Sequence, residues 1–415
     1  MNSALKFLAY LSAINGILLF MRPRDNALNL LVWFPKLIGA ALSPVMGIIG
    51  ILGALSGLVK RDWNLSLVGF LGVGLAARFM AEIPDGRDQF RSVFGSDVDD
   101  SLPTRRRGSV DFQPNLVIGQ KPKSGKPFVA DLWQPQEDSP RSGLGIIYAH
   151  GSGWRVGDKD MLTRPFFRSL VGEGHVVLDI AYSLFPEADI PTMVREVNQA
   201  IIWMKDNRQA YQVNPGRIVL MGGSAGAHLS LLAAYAPEQP EFQPGDDNSD
   251  TSVRGVIAYY PPADLRDTFT QTQKLVSRKQ HPIDNLANAL FTRIFELHPD
   301  SSSQDVHDGS EYENYMINIL GGSVEKIPEV YDLLSPIKHV CKDSPPTLLL
   351  QGSDDVFDLA PAVRGLQQAL VQAGVPAILV EYPHTEHGFD LILPQISPVA
   401  RAATREVERF LACLV

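Results

Sequence analysis

The sequence predicts an α/β fold, a mostly parallel sheet with helices on both faces, preceded by an apolar helical segment. Three observations predict it. Short apolar, β-branched runs recur along residues 114–415, as in strands buried on both faces. Segments of helical period lie between several of them, and that alternation builds a parallel sheet covered by helices. Three charge-poor apolar stretches precede Pro84.

The front of the chain comes first. Residues 1–83 carry seven Lys/Arg and three Asp/Glu, a net +4 within a 415-residue chain whose formal charge is −9. The apolar stretches are residues 7–21, 37–59 and 65–77, separated by Arg22, Arg24 and Lys36 and then by Lys60 and Arg61. The second has 23 residues and no charge, and at ~1.5 Å per residue it outreaches a ~30 Å hydrocarbon core. The first and third are short, so residues 1–83 are expected to hold one to three membrane-embedded helices. Gly53-x-x-x-Gly57 is a weak sign of close helix approach. A cleaved signal peptide is the competing reading of residues 1–21, but Met21-Arg22-Pro23-Arg24 stands where a small-residue cleavage site belongs. Three spans with the N-terminus outside put Arg22, Arg24 and Lys36 on the cytoplasmic side together with the rest of the chain. The expected localisation is therefore integral to the membrane, anchored by residues 1–83, with the C-terminal domain facing the cytoplasm. Two glycine patterns mimic nucleotide motifs. Gly72-x-Gly74-x-x-Ala77 lies in an apolar stretch rather than after a strand, and the Gly119 to Gly125-Lys126-Pro127 run is one residue too long for a phosphate loop and lacks its hydroxyl.

Residues 84–113 turn polar, with Asp97-Val98-Asp99-Asp100 and Arg105-Arg106-Arg107, and read as a linker. Strands are expected at 114–119 and 127–134, which open the sheet as an antiparallel pair, and then at 143–149, 175–181, 217–221, 253–259, 347–350 and 376–381. Helices are expected at 192–206, 226–236, 361–373 and 399–413. Residues 263–333 break the alternation, with helical pieces near 284–297 and 311–320. That interval is too long for an ordinary loop and reads as a lid or inserted cap.

The chemistry gathers after the strands. Gly222-Gly223-Ser224-Ala225-Gly226 follows the strand at 217–221 and opens a helix, the context in which a G-x-S-x-G turn holds a nucleophilic serine oxygen outward. An orienting acid and a base follow in the order that suits such a serine. Gln351-Gly352-Ser353-Asp354-Asp355 comes after one strand and His384-x-x-His387-Gly388-Phe389 after the next. Asp355 is preferred to Asp354, and His387 to His384, which reads as a satisfied surface or core histidine. His150-Gly151-Ser152-Gly153-Trp154 follows the strand at 143–149. Its small residues let the backbone N–H groups of Ser152 and Gly153 converge with that of Ala225 on an oxyanion, with His150 and Gly151 shaping the loop.

The acidic balance argues against a nucleic-acid partner, since the one tight basic cluster is Arg105-Arg106-Arg107. Neither a metal nor a cofactor is expected, because the nine histidines show no His-Glu-x-x-His spacing. Cys341 and Cys413 are too few for a disulfide framework and read as buried thiols.

With these residues in hand, residues 126–415 resemble the α/β-hydrolase superfamily, specifically its hormone-sensitive-lipase-like and acetyl-esterase branch. The resemblance rests on His-Gly-Ser-Gly-Trp, Gly-Gly-Ser-Ala-Gly-Ala-His, Tyr-Tyr-Pro-Pro-Ala-Asp-Leu at 259–265, Leu-Leu-Ser-Pro-Ile at 333–337, Pro-Pro-Thr-Leu-Leu-Leu-Gln-Gly-Ser-Asp-Asp at 345–355 and Tyr-Pro-His-Thr-Glu-His-Gly-Phe-Asp at 382–390. It implies ester hydrolysis through an acyl-enzyme, with Ser224, Asp355 and His387 as the triad. Ser152 replaces the usual middle glycine of the oxyanion loop, and Gln351 stands where many relatives have His. The expected substrate is a small-molecule or lipid ester. An amidase, formamidase or peptidase using the same triad is the alternative, and a silent membrane-tethered binding protein is the reading from another class.

Overall fold

The computed structural model describes residues 2–23, 26–95, 109–245, 249–276 and 315–415. Eight strands form one sheet: β1 (Val110–Gln120), β2 (Pro127–Pro135), β3 (Gly145–Ala149), β4 (Val176–Ile180), β5 (Ile218–Gly223), β6 (Gly255–Tyr259), β7 (Thr347–Gly352) and β8 (Ala377–Tyr382). Their spatial order is β1-β2-β4-β3-β5-β6-β7-β8. The β1–β2 and β2–β4 pairs are antiparallel and all other pairs are parallel. β3, β4, β5, β6 and β7 are buried along their whole length, which explains their largely apolar text; Asp179 in β4 and Thr347 and Gln351 in β7 are buried polar exceptions.

Successive residues of each strand serve opposite faces. Ile147, Leu178, Leu220 and Val256 pack with α6 (Ile190–Asp206, followed by the short α7, Arg208–Tyr211), α8 (Ala225–Tyr235) and α12 (Ala360–Gln372), whereas Ile146, Val177, Val219 and Ile257 pack with α5 (Arg164–Gly172) and α13 (Pro398–Leu414). The segment between β6 and β7 holds α9 (Leu265–Val276), α10 (Tyr315–Leu320) and α11 (Pro328–Leu333). The middle of the expected cap, with its helical piece at 284–297, lies outside the described residues.

Residues 84–113 are more than a linker. They contain α4 (Arg87–Phe94) and the first residues of β1. Phe90 is buried, Phe94 meets Phe410 of α13 edge-on at 6.0 Å, and the Gly86 N–H donates to Glu406 Oε1 at 3.0 Å. The apolar face of α4 thus completes the cover of the β8 side of the sheet. The Arg105–Arg107 cluster lies outside the described residues. Cys341 is exposed and Cys413 half-buried, neither in a disulfide, against the expectation of buried thiols. Cys341 sits in a surface turn, where its N–H donates to Ser344 Oγ.

The front forms a bundle of α1 (Asn2–Phe20), α2 (Asn26–Lys60) and α3 (Trp63–Ala81), each long and apolar enough to cross a membrane. Small residues line the contacts. A Cβ on Gly69 would lie 2.3 Å from the Ala54 nitrogen, and one on Gly53 2.6 Å from the Ala9 Cβ, so glycine is what permits these backbones to approach. Ser12 Oγ donates to the Met46 carbonyl at 2.7 Å and Asn15 Nδ2 to the Gly39 carbonyl at 3.3 Å. Gly72 and Gly74 lie inside α3, and the Gly119–Pro127 run is the turn between β1 and β2.

α2 starts well before the apolar stretch at 37–59. Its 35 residues reach about 52 Å, more than a ~30 Å hydrocarbon core takes up. Pro44 lacks the amide that would bond Ala40, and Ser43 Oγ donates to that carbonyl at 2.8 Å instead. The N-terminal half of α2 packs against the sheet domain: Trp33, Leu37 and Ala40, with Leu19 of α1 and Phe79 of α3, join the buried cluster under α5 and α13. Lys36 therefore lies within a helix, with its side chain 1% exposed, and not in a flanking loop. Without it, two basic residues ahead of α2 in the sequence, Arg22 and Arg24, stand against two at its close, Lys60 and Arg61. The charge asymmetry behind a cytoplasm-facing domain is gone.

Candidate active site

β3 to β8 run parallel to one another, so the loops leaving β3, β5, β7 and β8 gather at one edge, where open α/β sheets place ligands. Ser224 sits between β5 and α8 with φ 52° and ψ −119°, a strained conformation for a residue with a side chain. The turn is held open by glycine. A Cβ on Gly226 would lie 2.0 Å from the Ala149 carbonyl oxygen, and one on Gly222 2.7 Å from the same atom. The Ser224 N–H donates to Tyr259 O at 2.9 Å, and the Ser224 carbonyl accepts from the His228 N–H at 3.0 Å. Backbone bonds on both sides thus fix the direction of the side chain.

His387 reaches this serine from the loop after β8. Its Nε2 lies 2.9 Å from Ser224 Oγ and its Nδ1 2.9 Å from Asp355 Oδ2. Gln351 Nε2 donates to the same Oδ2 at 2.9 Å, and the Phe357 N–H donates to Oδ1 at 2.9 Å. A carboxylate with both oxygens engaged cannot rotate freely, and as an acceptor it draws the imidazole proton to Nδ1, which leaves Nε2 to accept from the serine. The imidazole is wedged between Tyr260 (4.3 Å between centroids) and Phe357 (4.8 Å). Tyr260 donates to Asp390 at 2.5 Å, and burial pushes the Asp390 carboxyl up to about 6.

The loop after β3 lies beside the serine. A Cβ on Gly151 would lie 3.0 Å from the Gly223 carbonyl and 3.4 Å from Ser224 Cβ. Ser152, Gly153 and Trp154 all have positive φ, and Ser152 Oγ bonds the Gly151 and Val156 carbonyls, so the serine closes the loop on itself. His150 stacks on Tyr182 at 4.4 Å, its Nδ1 bonds the Gly151 carbonyl, and its own carbonyl accepts from the Tyr182 hydroxyl at 2.9 Å. Trp154 meets His228 of α8 edge-on at 5.2 Å. Burial pushes His228 down to about 4, so it stays neutral while its Nε2 bonds the Leu334 carbonyl.

The rejected neighbours sit elsewhere. His384 bonds Glu82 at 2.9 Å and packs on Phe20, at the end of the helical bundle. Asp354 pairs with Lys36 of α2 at 3.1 Å. Three contributors were not legible as such: Gln351, visible only as a departure from a familiar motif, and Trp33 and Lys36, more than 300 positions from the loops they touch. Trp33 Nε1 donates to the His387 carbonyl at 2.9 Å.

The BD-FAE family model matches residues 130–358, more than half of the chain. The chain belongs to the BD-FAE family. The BD-FAE match runs from β2 through Asp355, and β8 with His387 follows it. The chain is similar to two proteins of Mycobacterium tuberculosis (strain ATCC 25618 / H37Rv). It is 29% identical to "Probable carboxylic ester hydrolase LipM" over 68% of this chain and 57% of that protein, and 26% identical to "Esterase LipQ" over 64% and 55%. It thus spans little more than half the length of these curated relatives. Among solved structures, a propionate-bound esterase, Est2, of Thermogutta terrifontis superposes with a TM-score of 0.52 at 20% identity, covering 75% of this chain and 95% of that one. That likeness shows the α/β-hydrolase fold.

Proposed function

We propose that this BD-FAE protein is a membrane-anchored serine carboxylic-ester hydrolase that works through an acyl-enzyme. The observation that carries the reading is the unbroken chain Asp355–His387–Ser224, with 2.9 Å at each link. His387 Nε2 takes the proton from Ser224 Oγ as the oxygen attacks the ester carbonyl. The tetrahedral oxyanion is met by the backbone N–H groups of Ser152, Gly153 and Ala225, and loss of one such donor typically costs ~3 kcal/mol of transition-state stabilisation. His387 returns the proton to the leaving alcohol, and Asp355 stabilises the imidazolium between the two transfers. Water then resolves the acyl-enzyme by the same path in reverse. His150 and Gly151 shape the oxyanion loop.

The ester class is supported by the names of the mycobacterial relatives, and the bilayer anchor by three helices of sufficient length and apolarity. Together they favour acyl esters that partition to the membrane. The test is fluorophosphonate labelling of detergent-solubilised wild type and Ser224→Ala, followed by a p-nitrophenyl ester series of increasing acyl length. Labelling and turnover are expected in the wild type and lost in the variant, by about 10⁴-fold or more in kcat. Full esterase activity in Ser224→Ala would refute the reading.

A further inference from the structure

One ammonium group touches both loops on which the reaction depends. Lys36 Nζ lies 3.1 Å from Asp354 Oδ2, 2.8 Å from Glu386 Oε1 and 3.0 Å from the Met21 carbonyl, and the Lys36, Asp354 and Glu386 side chains are at most 6% exposed. Asp354 immediately precedes Asp355, and Glu386 immediately precedes His387. A buried cation between two carboxylates is held where it is, because moving any one partner leaves an uncompensated charge away from water. Three residues earlier on the same helix, Trp33 donates to the backbone carbonyl of His387 itself. Its ring also meets Phe357 edge-on at 6.2 Å, and Phe357 in turn packs on the His387 ring.

We infer that Trp33 and Lys36 of α2 are positioning residues for the reaction: the membrane helix fixes the distance between the acid and base loops. This rests on the reading of Ser224, His387 and Asp355 as the triad. The loops do have their own ties, since the Asp354 N–H donates to Thr385 O and the Ser353 N–H to Tyr382 O. Those are backbone bonds, one at the strand ends and one between the loops. The contacts from α2 add side-chain ties to Asp354 and Glu386 and a bond to the His387 carbonyl, on the residues that flank or form the acid–base pair. A helix is a stiffer support than a loop, and small displacements of a general base carry large rate penalties.

The test uses the full-length protein in detergent, with turnover normalised to sites labelled exhaustively by fluorophosphonate. Trp33→Phe keeps the ring against Phe357 and deletes the N–H donor. It is expected to lower kcat about 10-fold with KM within about two-fold, the signature of an interaction felt in the transition state. Lys36→Met is expected to lower kcat further, and Lys36→Arg to recover at least about three-fold of that loss by restoring the charge. Val59→Ala, at the far end of α2 and 84% exposed, leaves kcat unchanged. Wild-type kcat per labelled site in both Trp33→Phe and Lys36→Met overturns the inference, as does a rise in KM at constant kcat. If Lys36→Met does not fold, Trp33→Phe decides alone. Activity surviving in Ser224→Ala instead sinks the triad reading on which all of this stands.

Discussion

Asp354 and Asp355 are adjacent, chemically identical and buried, yet one bonds a lysine of the N-terminal bundle and the other the imidazole beside Ser224. The backbone turn after β7 gives the two side chains different partners. Glu386 gives this corner a pH dependence. Burial pushes its carboxyl up to about 7, with Asp355 and Asp354 adding repulsion and Lys36 opposing. Between its ordinary range and pH ~7 it holds more proton in the folded than in the unfolded chain, so stability falls as pH rises through that window. Glu386→Gln removes the titration. Its stability is expected to decline less than that of the wild type between about pH 5 and pH 8, by up to about 3 kcal/mol. Thermal melts of both proteins across that range check this; parallel curves would contradict it.

Among the elements, the strands were the most legible, because burial on both faces writes a continuous apolar run that polar turns punctuate. The serine turn was equally readable, since its glycines answer a packing need that a Cβ at Gly222 or Gly226 would violate. α4 was missed inside a polar stretch: an eight-residue helix buries one face and leaves a polar text. α2 was misread at its start, because a lysine ahead of an apolar run looks like a flank, and its partners lie on loops far along the chain. Gly69 offers a test at this scale. Its absent side chain is what lets α3 lie against α2, so Gly69→Leu is expected to cost about 1–3 kcal/mol as the helices are forced apart. Denaturation midpoints in detergent measure it, and an unchanged midpoint would mean that the contact is dispensable.

At the scale of the whole molecule, bundle and sheet share a core, since Leu19, Trp33, Leu37 and Phe79 sit in the same cluster as Leu348, Ile378 and Val407. The proposed anchoring predicts that the full chain stays with membranes through alkaline carbonate washing and is released by detergent. Release by carbonate alone would show that the bundle rests on the surface instead of crossing.

The uninterrupted course of α2 from Trp33 to Lys60 has one more consequence. The end of α2 that touches Asp354, Glu386 and His387 continues within the same helix into the apolar stretch at 37–59, so on the proposed anchoring the triad is tied to the bilayer surface. On the proposed reading the enzyme does not sample a volume. It samples a plane, and its rate follows the number of ester molecules per unit area of bilayer, falling when they are diluted with inert lipid even if their amount in the vessel stays the same.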